Sequence, residues 1–523
     1  MKTKTISRRK MVWLYLLFAI MISGLLAACS DTEETGSPSQ TPNENEGTVN
    51  EEGASEEEPL EISMILPLFE EVPDMNNHFW TEFQKRTNTV LDIEWVPSGD
   101  FSTKFDLVLS SGALPDVMWA PNVNDPNLLR AINNGAFTEI GQYLGDFSNY
   151  PNLRDNAAPN AWRFVDRDGE IYGVPRFRPA IDQGLKIRKD WLDNLGLPIP
   201  TTLEEFADAL EAIVTQDPNG TGQNDTIGHV HSYGGTGIHA AFAAGFGALD
   251  PAYDSDGGMI HYNLHPGFVK TVDYFRDLYE RGALPKEFVT ISQTQTQELF
   301  ESGQAASYIR NIWRAWMFEE SIQRTDPEAE VVIVELEGPE GPAVQLESGV
   351  YGALMLSNQL SEEKVKRILD YFEMTNTDEF FEMIFFGIEG IHYELDESGE
   401  RVMNEVGDVE IGTSVQQPLP LTYNDWWKSY DKNAPKEYNE TVLEDTAHYS
   451  EVGKVNPFAY LTAPTWVDTW PRYQNEWESR VVETIVGNMT MDEFEAYIES
   501  VREKPEMKQA FQEFAEAYEA FWK

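Results

Sequence analysis

Nine residues, Asp-Pro-Asn-Gly-Thr-Gly-Gln-Asn-Asp from 217 to 225, place a side-chain oxygen at every second position: Asp217, Asn219, Thr221, Gln223 and Asp225. Hard oxygen donors at that spacing suit Ca²⁺. On the calcium-loop template of an EF-hand, Asp217, Asn219 and Thr221 take positions 1, 3 and 5, and Gly222 supplies the sharp turn at 6. Gln223 offers its carbonyl at 7, and Asp225 stands at 9. Position 12, where a bidentate Glu normally closes the cage, is Gly228. Two carboxylates and neutral oxygens predict a structural Ca²⁺ site, looser than a full loop. The alternative is a plain Pro-Asn-Gly turn, polar because it is exposed.

Other chemistry has less support. His229, His231 and His239 have a spacing open to zinc, and alternation along a strand puts the first two on one face. No helical H-E-x-x-H pattern accompanies them. With 89 Asp and Glu in the chain, pairs of carboxylates at hydrolase separation are expected by chance and carry no information. Nucleophile elbow, phosphate loop and dinucleotide fingerprint are all missing from the sequence. No catalytic residue is assigned.

The elements that hold these residues follow from periodicity. Ahead of the loop, "TTLEEFADALEAIVTQ" predicts a helix, with Thr202 and Glu205 as a capping box and Leu203, Phe206, Leu210, Ile213 and Val214 on one face. Behind it, "TIGHVHSY" predicts a strand. From Leu60 onward, strand, helix, strand, helix, strand can be read in "LEISMILPL", "MNNHFWTEFQKRTN", "LDIEWVP", "STKFDLVLSSGAL" and "PDVMWAP". That alternation predicts an α/β fold with a mainly parallel sheet and functional loops at the strand C-termini. "VDRDGEIYGV", "DSDGGMIHY" and "LDESGERVM" predict hairpins on Asp-Gly or Ser-Gly turns.

The N-terminus speaks to location. Lys2, Lys4, Arg8, Arg9 and Lys10 precede an apolar run from Met11 to Ile22, the pattern of an export signal. It ends in Leu-Ala-Ala-Cys29, similar to a bacterial lipobox in which the cysteine is lipidated and becomes the mature N-terminus. Cys29 is the only cysteine, so no disulfide supports the fold. Residues 29–58 are polar and rich in Glu, a composition that cannot bury enough surface to fold and predicts a disordered tether. The formal charge of -51 excludes nucleic acid as a partner and leaves membrane attachment to the lipid.

The stretch from "YGVPRFRPAIDQGLKIRKDW" through the 217–225 loop resembles the family 1 extracellular solute-binding lipoproteins of bacterial ABC importers, in particular the large saccharide-binding branch. "LFESGQAASYIRNIW", "FFGIEGIHY" and "APTWVDTW" extend the resemblance over about residues 59 to 523. The resemblance implies a two-lobe periplasmic-binding-protein-like fold (type II) with hinge crossings, after a signal peptide at 1–28 and the tether. The lobes expected are 59–177 with 347–388, and 178–346 with 389–523. It implies a saccharide, in all expectation an oligosaccharide, captured between lobes and delivered to the transmembrane subunits of an ABC permease. The protein would be a monomer, lipid-anchored on the extracellular face of the cell membrane. Calcium at the 217–225 loop is also a property of the branch. For the ligand, the family's motifs point to Trp119 with its neighbour Asp116, and to Trp313. Arg176 and Arg178 at the first crossing and Trp426 and Trp427 are further candidates, since aromatic planes stack on sugar rings and arginine forks suit hydroxyls or an acidic sugar. The alternatives are a polysaccharide lyase or hydrolase and a co-receptor for a membrane kinase.

Overall fold

Regular structure starts where the apolar pattern starts. The computed structural model describes residues 58–522 apart from 168, 232–235, 398, 424–428 and 433. The signal segment, Cys29, the tether, Trp426 and Trp427 therefore lie outside the described residues. Nine strands build two sheets: β1 (Leu60–Leu68), β2 (Thr89–Pro97), β3 (Val117–Ala120), β4 (Val174–Phe177), β5 (Gln183–Arg188), β6 (Ile227–Val230), β7 (Ala305–Asn311), β8 (Val331–Val334) and β9 (Val350–Leu356). The first sheet has the order β2-β1-β3-β9-β4 and the second β8-β5-β7-β6.

The sheets are mixed, not mainly parallel as the alternation predicts. In the first, β1 is parallel to β2 and β3, but β9 runs antiparallel to both β3 and β4. In the second, only β6 and β7 are parallel, while β5 opposes β7 and β8. The reason lies in the crossings. β5 follows directly on β4, and β9 follows β8, so each enters its sheet from the end that faces the other sheet and must run against strands that finish there.

The two largest apolar clusters follow the two sheets. Ile62, Phe79, Phe83, Val117 and Leu354 are sealed in the first, and Ile187, Phe206, Phe268, Phe275 and Phe511 in the second. Ile411, Val415, Leu419 and Leu421 pack into the first core. The boundary expected after residue 388 falls inside that packing, and we assign the chain through Leu421 to the first lobe.

Local chemistry sets the element ends. The Asn77 side chain accepts from the Trp80 amide at 2.8 Å to open the helix His78–Thr87. The helix Leu203–Thr215 opens on Thr202, whose hydroxyl accepts from the Glu205 amide at 3.1 Å. The predicted reciprocal half of that box is displaced by one residue: the Glu205 carboxylate takes the Thr201 amide at 2.9 Å and its hydroxyl at 2.8 Å. Hairpin pairing appears at all three predicted turns, around Asp166–Ile171, Tyr253–Met259 and Tyr393–Met403.

His229 and His231 do share a face, with ring centroids 5.2 Å apart. They are core residues: burial pushes both well below the usual imidazole range, His231 to about 3. His239 instead caps a helix, its Nδ1 accepting from the Ala241 amide at 3.0 Å. Among the described residues no group of three or more His, Cys, Asp or Glu is placed to hold a metal.

Candidate functional site

Between the two sheets lies a cavity of about 290 Å³, and the crossings form its walls. The end of β4 brings Arg176 and Phe177, the crossing that follows brings Arg178 and Asp182, and β9 brings Tyr351. β7 ends in Arg310 and Asn311, and the turn into the helix Arg314–Gln323 sets Trp313 and Arg314 on the same space. A segment of the first lobe, from Thr413 to Leu421, closes it.

Four arginines thus face one cavity in a chain of charge -51. Arg176 is 3% exposed and acts as a brace: Nε donates to the Leu419 carbonyl, Nη1 to Gln417 Oε1 and Nη2 to the Gln416 carbonyl, each at 3.1 Å. Burial lowers it to about 10, which leaves it charged at neutral pH. Arg178 donates to Asp182 at 2.6 Å and lies 4.5 Å over the Tyr351 ring. Burial opposes its charge, but the Asp182 and Glu347 carboxylates outweigh that and hold it above the usual range. Asp182 is also engaged by Asn311 at 2.8 Å and by Gln183. Arg310 meets the Gln293 amide. Arg314 is lowered by burial and by Arg310, and lies 4.7 Å over the Trp313 ring. Among the described residues Arg176, Arg310 and Arg314 make no ion pair with a carboxylate, and the Nε atoms of Arg178, Arg310 and Arg314 are buried without a hydrogen-bond partner.

A second space of about 260 Å³ adjoins the first, and Trp313, Thr413 and Gln416 line both. Its other described walls are Met317, Ile384, Phe385 and Ile411, the phenol of Tyr430, and Glu70, Glu320 and Asp431 beside Lys432. Trp313 Nε1 and Thr413 Oγ1, on the shared wall, have no partner among the described residues.

The structure brings Trp313, Arg176 and Arg178 together, and separates Trp119 and Asp116 from them. Trp119 is 4% exposed and lies beneath Tyr351, its Nε1 donating to the Tyr351 carbonyl at 2.9 Å with ring centroids 5.0 Å apart. A bulge between Val350 and Ala353 sets this up. At its centre Gly352 has φ 75°, and an added Cβ would collide with the Ala120 carbonyl. Tyr351 therefore takes the cavity face expected of Trp119. Asp116 precedes β3, at the strand end away from the cavity. It accepts from the Ser63 amide at 2.7 Å and from Lys364 at 2.8 Å, and so ties β1 to a helix. Trp426 and Trp427 fall outside the described residues. Sequence reasoning misses Tyr351, Arg310, Arg314 and the 413–421 segment. Arg310 and Arg314 were open to view as the two bases flanking Trp313, whereas the others arrive from distant chain.

Residues 217–225 fold into an exposed turn held by its own side chains. Asp217 accepts from the amides of Thr221 at 3.0 Å and Gly222 at 2.8 Å, and Asp225 accepts from Thr221 Oγ1 at 3.1 Å and Asn219 at 2.9 Å. Thr221 Oγ1 also lies 3.4 Å from the Gln223 carbonyl. These contacts draw Asp217, Asn219, Thr221, Gln223 and Asp225 together within the turn, with Asn219 presenting its amide nitrogen to Asp225, and the two carboxylates and neutral oxygens are of the type a hard cation takes. Gly228 cannot be the bidentate Glu of a full cage: it lies in β6, where an added Cβ would stand 2.5 Å from the Ala283 carbonyl.

Comparison with known proteins agrees with the architecture. A family model described as "Bacterial extracellular solute-binding protein" matches residues 69–372, more than half of the chain. The polygalacturonan/rhamnogalacturonan-binding protein YtcQ of Bacillus subtilis (strain 168) is 27% identical over 515 residues, 97% of this chain and 98% of that protein. Lipoprotein LipO of the same organism is 26% identical over 398 residues, 74% of each chain. The fold matches that of the S. pneumoniae ABC-transporter substrate-binding protein FusA, solved as an EF-hand mutant in complex with fructo-nystose. That match has a TM-score of 0.64 at 19% identity and covers 88% of this chain and 99% of the other. The chain belongs to the bacterial extracellular solute-binding proteins, a family that binds its ligands and is not one of enzymes.

Proposed function

We propose that this protein captures an oligosaccharide in the cavity between its lobes and delivers it to the transmembrane subunits of an ABC importer. The observation that carries this is the cavity itself. Among the described residues the half-buried Trp313 faces a space fringed by arginine forks and side-chain amides, the mixture of a flat apolar plane and directional hydrogen-bonders that a sugar needs. The saccharide named for YtcQ and the one bound to FusA support the class. Binding would shift a population towards a closed arrangement that the permease recognises. The chain would act as a monomer held on the extracellular face of the membrane by acyl chains on Cys29, a role supported by the lipobox-like sequence and by the similarity to LipO. A Ca²⁺ held by Asp217, Asn219, Thr221, Gln223 and Asp225 would pin the turn between the helix Leu203–Thr215 and β6.

Melting curves over a panel of oligosaccharides test this. A bound sugar at a hundred times its dissociation constant stabilises the fold by about 2.7 kcal/mol. A panel of neutral and acidic oligosaccharides that leaves the melting temperature unmoved would overturn the proposal.

A further inference from the structure

We propose, resting on the saccharide reading above, that the cleft sorts oligosaccharides by where their charge lies: the arginine-lined chamber takes a uronic acid unit, and the adjoining chamber takes a neutral sugar linked to it. The preferred ligand is an acidic unit next to an uncharged one, and a run of uronic acids is a poorer fit.

The two chambers differ in sign. The first presents Arg176, Arg178, Arg310 and Arg314 against Asp182, which is already engaged by Arg178, Asn311 and Gln183. Gathering Arg176, Arg310 and Arg314, none of which has a carboxylate partner among the described residues, in a half-buried space is unfavourable unless an anion joins them, because each loses hydration without gaining a counter-charge. Arg176 and Arg314 show the strain of that arrangement, both being lowered by burial. Three guanidinium Nε atoms in this wall are buried and unpartnered. In so acidic a chain, arginines without carboxylates are costly to maintain, and a planar carboxylate that accepts from such forks is the chemistry that completes them.

The second chamber refuses what the first attracts. Among the described residues that line it, Glu70, Glu320 and Asp431 outnumber Lys432, and Met317, Ile384, Phe385 and Ile411 give it apolar walls. A second carboxylate would meet like charge next to a low-dielectric wall, whereas the CH face of a neutral ring would pack on Phe385 and Trp313. Trp313 and Thr413 line both chambers, at the junction of the two units.

Calorimetry on the full chain with four probes tests this: an aldobiouronic acid (one hexuronic acid linked to one neutral hexose), its methyl ester, a dimer of hexuronic acid, and a neutral disaccharide. The aldobiouronic acid should bind at least tenfold tighter than each of the others, and its affinity should fall as salt rises. Arg314→Gln should remove the preference over the methyl ester. Glu320→Gln, at an exposed position, should narrow the preference over the hexuronic acid dimer. Equal binding of acid and ester overturns the role of the arginines, and equal or tighter binding of the dimer overturns the role of the second chamber. Binding of the neutral disaccharide alone overturns the charge inference and leaves the saccharide reading standing. Binding of none of the four overturns both.

Discussion

The arginine-lined chamber and the 217–225 loop are both built from polar groups brought close together, yet they are assembled in opposite ways. Every donor in the loop comes from nine consecutive residues, and the turn made by Gly220 and Gly222, at φ 67° and 80°, folds them onto one another. The chamber draws on chain positions from Phe69 to Leu421, and its residues meet only because two crossings and the 413–421 segment pass one another. The loop is a local device on an exposed surface. The chamber is a product of the whole fold, and it inherits the stability of the packing beneath it.

That difference predicts what breaks each. The largest effect should come from beneath the chamber. Trp119→Ala removes the ring that supports Tyr351 and should cost about 3 to 5 kcal/mol of stability, read by denaturant unfolding; wild-type stability would put Trp119 outside the core. Trp313→Ala should do the reverse. Losing the half-buried plane that faces the cavity should weaken the best oligosaccharide roughly tenfold to a hundredfold, about 1.4 to 3 kcal/mol, with the apo melting temperature little changed. Calorimetry and melting on the same variant separate the two effects. A Trp313 variant that binds normally but melts far lower would move the sugar platform elsewhere.

The loop should respond to calcium and leave the chamber alone. Wild-type protein should melt lower after chelation, and Asp217→Ala should abolish that difference while sugar affinity stays within about threefold, on the order of 0.6 kcal/mol. A wild-type melting curve indifferent to both calcium and chelator would make the loop a turn only.

The smallest effect concerns the buried imidazoles in the second lobe. His231 sits near 3 when folded, below the usual 6.5, so the unfolded chain binds more protons between those values. Its contribution to stability is complete above about 6.5 and drains away as pH falls towards 3. The melting temperature should therefore drop between pH 7 and 4, and His231→Leu should shallow that slope; an unchanged slope would show that other titrating groups set it.

Much of the fold was legible in the sequence. "LEISMILPL" became β1 residue for residue, and the helix-loop-strand unit around 217–225 appeared where its periodicity and turn residues put it. The mixed sheets were not legible, because strand direction depends on which lobe the chain arrives from and leaves no trace in local pattern. The two tryptophans show the same limit within the site. Both stand near the ends of strands, and nothing in "PDVMWA" or "YIRNIW" tells a ring that faces the cavity from one covered by Tyr351.

By itself the sequence determined the periodic elements, their caps and turns, the acidic balance and the oxygen spacing of the loop, because each depends on residues within a few positions of one another. Tertiary structure alone decided which arginines share a cavity, that Tyr351 covers Trp119, and that Gly228 must remain a glycine against the Ala283 carbonyl. Those outcomes come from contacts between residues tens to hundreds of positions apart. The close approach that creates them is fixed by how sheets and crossings pack, not by any preference written in the neighbouring chain.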